Sequence, residues 1–548
     1  MHQPQYQDPV SREYFLPWTY LHAIKDYVDM AAHLEARPAA RAVVNFAPIL
    51  LEQIDDYAGQ VQHFLADSTP IRDPLLAALA SFIPTEKEAR LSLMKACLRV
   101  HEERFINRFP AYRHLADMAN IFSQNPEMMR YIDERFLIDL LVWYHLAWIG
   151  ETVRRDDERI KALIEKEFNY EADDRRILVS IIGELLSGVI GRYKKLSENG
   201  QVELSMTPYA HPIVPLMLDI KSAREAMPDI PLPELEQYPG GEERVHWHIQ
   251  KGIETFRHYF GSAPAGCWPS EGSVSTQTMK ILGEHGFRWA ASGENVFRQS
   301  FSKYGQSSDE EADNETAEHH VLYHPYRIAD SQTACFFRDD GLSDLIGFTY
   351  STWHADDAVA NMINHLESIA DSLNDPSDNV ISIILDGENA WEHYHENGYY
   401  FLDALYARLC EHPKLELTTF SQCLDDGTDV KSLSGMVAGS WVYGSFSTWI
   451  GDKDKNRGWD MLGDAKRVFD RVISSQRLSG EQLTQAEYQL AICEGSDWFW
   501  WFGDYNPGDS VSDFEYLFRQ ARSGTDRLDG DTPRAYLVRV FRMLGRTP

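Results

Sequence analysis

Short apolar runs alternate with helical periodicity along much of the chain. Ala42–Phe46 (AVVNF) is one such run. On one side, a helix from about Leu21 places Ile24, Tyr27, Val28, Ala31 and Leu34 on one face; on the other, Leu50–Leu65 repeats the same period. Strands between amphipathic helices point to a parallel α/β architecture. The pattern resumes in Gly200–Ser205 (GQVELS), Phe287–Ser292, Leu345–Tyr350 and Asn379–Leu385. In the last of these, Val380–Leu385 is almost unbrokenly apolar and reads as a strand buried on both faces. Helices are predicted around Met279, Ile281 and Leu282, with Ser273, Ser275 and Thr276 as candidate caps, and over Tyr399–Leu409. Between about Asp73 and Ser197 only helical periodicity is present, which predicts a helical insertion. Strand signals fade after Ser421, and the tail to Pro548 reads as mostly helical. The expected domains are therefore 1–424, with the insertion at about 73–197, and a helical 425–548.

Composition narrows the partners. A formal charge of −32 argues against nucleic acid and anionic membrane surfaces, and fits a neutral substrate. Six cysteines, at 97, 267, 335, 410, 423 and 493, show no paired spacing, the usage of a reducing, cytoplasmic compartment. No secretory segment is visible at Met1. The longest apolar stretch, Phe136–Gly150, holds Asp139 and His145 and is too short to span a bilayer, so it reads as a buried helix. Asp309–His319 is acidic and poor in apolar residues, and reads as a surface loop.

Candidate chemistry sits where apolar strands end. Val380–Leu385 stops at Asp386-Gly387-Glu388-Asn389, with Trp391 beyond; Gly266-Cys267 runs into Trp268-Pro269-Ser270-Glu271. Strand C-termini carry the active sites of parallel barrels. Two carboxylates in turns rich in Trp and Gly suit acetal cleavage, which needs one acid for the leaving oxygen and one carboxylate for the oxocarbenium-like centre. Sugars stack an apolar face on Trp or Tyr while their hydroxyls seek carboxylates and His. Each ingredient also has a plain structural reading. Asp386 could cap a helix, Glu271 could sit at a helix N-terminus, Glu203 could meet an Arg in its strand, and His2 could be solvated. Trp268, Trp391, Trp498 and Trp500 could be core.

Taken in order, His2-Gln3-Pro4, Gly200-Gln201-Val202-Glu203, Trp268-Pro269-Ser270-Glu271, Asp386-Gly387-Glu388-Asn389 and Asp497-Trp498-Phe499-Trp500 resemble the five characteristic regions of glycoside hydrolase family 57, over nearly the whole chain. The resemblance implies an incomplete seven-stranded (β/α) TIM-like barrel followed by a mostly α-helical domain. It implies a retaining mechanism on α-linked glucans or related oligosaccharides, without a cofactor or metal. By that similarity Glu271 is the nucleophile and Asp386 the general acid/base. His2, Glu203, His211, Trp268, Trp391, Asp497 and Trp498 would bind substrate. The chain departs from the pattern in three places. Met1 takes the middle position of the usual His-any-His-Gln-Pro, which predicts that the natural chain starts further upstream with one more strand. Ala390 stands where the commonest amylase form differs, and Glu494–Trp500 is richer in aromatics.

Two other classes compete with a glucan hydrolase or transferase. One is a metal-dependent α-mannosidase or sugar deacetylase on a related barrel, which would need a His/Asp cluster; His393 with His395, and His319 with His320, are the sequence pairs available. The other is a carbohydrate-binding protein without activity.

Overall fold

The computed structural model describes residues 1–8, 11–305, 321–373, 378–476 and 478–503. Seven strands form one curled sheet: β1 (Ala42–Phe46), β2 (Val202–Met206), β3 (Gly266–Cys267), β4 (Trp289–Ser292), β5 (Tyr326–Ile328), β6 (Ala334–Phe337) and β7 (Lys431–Leu433), in the order β1-β2-β3-β4-β6-β5-β7. β1 to β4 and β6 are parallel, as expected for an incomplete barrel. β5 departs from that expectation, pairing antiparallel with β6 and parallel with β7.

Alternation decides which side chains point inward. In register, Val43 lies opposite Glu203, Gly266 opposite Trp289, and Trp289 opposite Ala334; two residues on, Ala291 lies opposite Phe336. These inner positions pack with Val380, Ile384, Phe420 and Cys423, filling the barrel with side chains rather than water. The intervening residues Val44, Leu204, Cys267, Ala290 and Cys335 face the outer helices in the main core. Pro48–Asp67, Ala172–Glu198 and Gly241–Phe260 are the long helices of that layer. Residues 74–198 contain helices only, and Glu134–Trp148 is the buried helix predicted from the longest apolar stretch.

Three further elements differ from expectation. Leu345–Thr349 is a wide helical turn that continues a short helix capped by Asp339. A short apolar run does not separate strand from buried helix, and the cap settles it here. Val380–Leu385 is extended but is bridged only through Ser382 to Arg338; the Val380 and Ile384 amides go instead to the Tyr323 carbonyl and the Ser343 hydroxyl. It keeps the position of a next barrel strand without the ladder. Lastly, β7 lies beyond the point where strand signals fade.

Met1 sits against β1, its ammonium donating to the Asn45 carbonyl at 2.6 Å and its carbonyl accepting from Ala47 N at 3.0 Å. Gly387 lies against it: a Cβ there would meet Met1 Cγ at 2.8 Å. The first residues thus bridge β1 and the Asp386 turn. The described part of the tail is helical over Lys453–Ser474, Glu481–Glu494 and Asp497–Trp501. The expected loop 309–319, the His319–His320 pair and the tail from 504 lie outside the described residues. No helix among the described residues is long and apolar enough to cross a membrane.

Candidate active site

β3 hands the chain to Trp268-Pro269-Ser270-Glu271, and Glu271 turns there with φ 56° and ψ 29°. A left-handed Glu is strained, and the surrounding structure holds it. The Trp441 amide donates to the Glu271 carbonyl at 3.2 Å, and the Trp441 indole donates to Glu271 Oε2, also at 3.2 Å. Gly272 follows with φ 57°, where a Cβ would lie 2.9 Å from the Trp268 ring. Trp268 itself stands edge-on to Trp441, ring centroids 5.2 Å apart. The carboxyl of Glu271 is therefore aimed by backbone geometry and by one indole, not by a helix N-terminus.

β2 leads through Tyr209 to His211, another left-handed residue at φ 61°. Its carbonyl accepts from Ser496 N at 2.9 Å, its Nδ1 lies 2.8 Å from Ser496 Oγ, and Glu271 Oε1 is 3.9 Å from the same nitrogen. His2 stacks flat on His211, with centroids 3.7 Å apart and planes 11° apart. Its Nε2 lies 2.9 and 3.1 Å from the two oxygens of Asp497. Glu388, buried, fixes the same residue from the other side. Its Oε1 accepts from His2 N at 3.0 Å, from Gln3 Nε2 at 3.3 Å and from the Tyr27 hydroxyl at 3.2 Å. Asp386 opens to solvent at the mouth of this cluster, with Asn389 Nδ2 donating to it at 2.9 Å.

The electrostatics follow from burial and crowded carboxylates. Burial, then the Asp386 charge, pushes Glu271 up to about 8; His2 and the Trp441 bond pull the other way. Asp386 is also raised, first by partial desolvation and then by Glu388. For His2, burial would lower the pKa, but Asp497, helped by Glu271 and Glu388, leaves it raised. His211 is pushed well below the ordinary value by burial and by the His2 charge, so a neutral ring lies under a more basic one. The Asp386 charge disfavours ionisation of Glu271, so the two neighbouring carboxyls do not readily ionise together.

His2, His211 and Asp497 could also be read as metal ligands, since their donor atoms lie within 4.8 Å of one another. The stacking argues against a shared ion. Imidazole lone pairs lie in the ring plane, and two nearly parallel planes 3.7 Å apart do not meet at one point. As arranged, His2 bonds Asp497, His211 bonds Ser496, and the two stacked rings form a wall. His393 and His395 lie elsewhere, beside His101 and Arg104 respectively.

The structure gathers His2, His211, Glu271, Asp386 and Asp497 into one cluster. Trp268 stands beside Glu271, and Trp498 lies behind Asp497, its indole donating to the Ile492 carbonyl at 2.6 Å. Two expected residues are not brought there. Glu203 accepts from the Trp289 indole at 2.6 Å and from Ser421 N at 2.9 Å, three residues below the end of β2 at Met206. Alternation points it to the barrel side, but near the start of β2, half-buried and away from the strand ends that carry Glu271 and Asp386. Trp391 is buried in a separate core with Tyr394 and Phe401. Glu388, Trp441 and Ser496 are the site residues that sequence reading left without a role. Glu388 stood within the Asp386 motif, and the Trp- and Gly-rich composition of residues 441–451 is the signal that could have pointed to Trp441, whereas Ser496 gave no signal of its own.

A curled, mostly parallel sheet whose strand ends carry two carboxyls, two stacked histidines and tryptophans defines a carbohydrate-active enzyme on an incomplete barrel. The family model described as glycosyl hydrolase family 57 matches residues 1–434, and the chain belongs to that family. Against the curated proteins no match emerges. Among solved structures, a GH57-type branching enzyme from Pyrococcus horikoshii aligns at 15% identity and TM-score 0.56, over 96% of this chain and 88% of that one. A GH57 branching enzyme from Thermococcus kodakaraensis, in complex with glucose and additives, aligns at 14% and 0.52, over 96% and 87%. The α-amylase AmyC from Thermotoga maritima aligns at 13% and 0.56, over 96% and 92%. At these identities the likeness is one of fold.

Proposed function

We propose that the protein is a retaining enzyme that cleaves or transfers α-linked glucan by double displacement. The observation that carries this reading is Glu271, held in a strained turn and facing Asp386 closely enough for the Asp386 charge to raise its pKa. The fold shared with branching enzymes and an α-amylase supports α-glucan as the substrate class. For the first step the proton that burial holds on Glu271 in the free protein must reside on Asp386 instead; ionised Glu271 then attacks the anomeric carbon, the glycosidic C–O bond breaks, and the Asp386 proton passes to the leaving oxygen. In the second, Asp386 takes a proton from water or from a sugar hydroxyl. That oxygen attacks the same carbon and releases Glu271. His2, oriented by Asp497 and Glu388, and His211 supply donors to the sugar in the cleft. Trp268 and Trp441 offer it apolar faces.

The test uses maltooligosaccharides and an aryl α-glucoside with an activated leaving group. Glu271→Gln should abolish turnover of both, since no covalent intermediate forms. Asp386→Asn should retain the first step on the aryl glycoside, and azide should rescue the second. An initial product of inverted anomeric form, or the same response from both variants, would contradict the roles assigned.

A further inference from the structure

Behind the wall formed by His2 and His211 lies a cleft of about 530 Å³, separate from the catalytic cluster. It is bounded by the segment after His2, the helix Pro48–Asp67, the helix Gly241–Phe260 and the helix Glu481–Glu494. Nothing in the mechanism uses it. We propose that this cleft is a second binding site for α-glucan, holding a short run of the polymer outside the catalytic cleft. The inference rests on the glucan reading above and assigns it a second place on the molecule.

The lining has the chemistry of a neutral polyhydroxylated ligand. Trp247 and Tyr488, both half-buried, line the cleft, Trp247 with one face covered by Arg244, and buried Tyr209 lies at 5.7 Å from one and 6.3 Å from the other. Aromatic faces meet the C–H side of a pyranose. Between them, Gln250 and Gln485 bring side-chain amides, each both donor and acceptor. Anions are disfavoured. The two cations of the lining, Arg12 and Lys251, already face Asp56 and Glu52 at 3.9 Å each, and Glu254 and Glu487 add further negative charge. The volume falls within the range of small-ligand sites.

The cleft is one layer away from the catalytic wall. Gln5, three residues after His2, donates to the Tyr488 hydroxyl across it. Tyr488 lies on the helix that ends at Glu494, just ahead of Ser496 and Asp497. A bound chain therefore grips the same two segments that pair His2 with Asp497.

Titration calorimetry of the full chain carrying Glu271→Gln, with maltoheptaose as probe, tests the assignment. The expected result is two binding sites per chain. Adding Thr484→Trp, which puts bulk on an exposed cleft position, or Trp247→Ala should weaken one of them by about tenfold or more and leave the other. Because Trp247 also stacks on buried Arg244, Thr484→Trp is the milder variant, giving up only the exposed Thr484 hydroxyl's bond to the Gly480 carbonyl at 3.4 Å. A single site in the parent, or a second site that survives both variants, overturns the proposal while leaving the catalytic reading in place. Spermidine bound in the cleft, lost with Thr484→Trp and not displaced by maltoheptaose, would make it a polycation site and overturn the sugar assignment. Absence of maltoheptaose binding at either site overturns both readings together.

Discussion

Glu271 costs the folded protein stability when it ionises. Its folded pKa, about 8, lies above its ordinary 4.5, so the native state binds the proton more tightly than the unfolded chain does. Its contribution is full below pH 4.5 and is lost as pH rises through 8. Glu271→Gln should therefore melt progressively higher than the parent between about pH 5 and pH 9, and a constant difference in Tm would contradict a buried, proton-holding carboxyl. Glu388 acts through its neighbours, positioning His2 and raising Asp386. Glu388→Gln should lower kcat by about 10²-fold through a misplaced His2, and should move the Asp386 limb of the pH–rate profile to lower pH. A loss of stability with an unmoved profile would leave Glu388 a purely structural residue. The residues also show what a sequence can reveal. Glu271 and Asp386 were legible because each closes an apolar stretch. Glu203 sits within its strand, near the start of β2, and position along the strand, which separates a cleft residue from one at the other end of the barrel, depends on register with β1 and β3. Ser496 has meaning only through His211, 285 positions away.

At the scale of elements, the helix Glu481–Glu494 is fastened by its last residue. Glu494 is fully buried against Arg244, His248 and Tyr238 of neighbouring segments, with Arg244 Nη2 at 2.8 Å and His248 Nε2 at 2.8 Å. Removing the carboxylate leaves a buried guanidinium unpaired, so Glu494→Gln should destabilise the protein by about 3–5 kcal/mol in urea unfolding. Burial alone would raise the Glu494 pKa, but Arg244 and His248 hold it down at about 2. The sign is thus opposite to that at Glu271: this stability is present above pH 4.5 and is lost as pH falls through about 2. A parent protein and Glu494→Gln of equal stability at neutral pH would show that the pair contributes nothing net. Long periodic helices and the β1 and β2 strands were readable from pattern alone. Val380–Leu385 was readable as buried and extended, but its missing ladder was not, because that depends on where Tyr323 and Ser343 place their oxygens.

Across the whole molecule, the family match ends at 434, yet Trp441, Ser496 and Asp497 lie beyond it and touch Glu271, His211 and His2. A chain cut after residue 434 should therefore lack turnover and bind a hydrophobic dye strongly, since Trp449, Trp459 and Trp498 are buried in the segment removed. Wild-type turnover from that fragment would mean that Trp441 and Asp497 are dispensable.

The contact between His2 and Asp497 spans 495 positions. Ribosomes deliver the first residue long before the second; at ordinary elongation speeds the gap is on the order of a minute. Through that interval the nascent polypeptide can lay down its sheet, strand by strand, while its catalytic centre stays unassembled. On the proposed reading the enzyme becomes competent only when the segment that carries Asp497 returns to the one that carries His2.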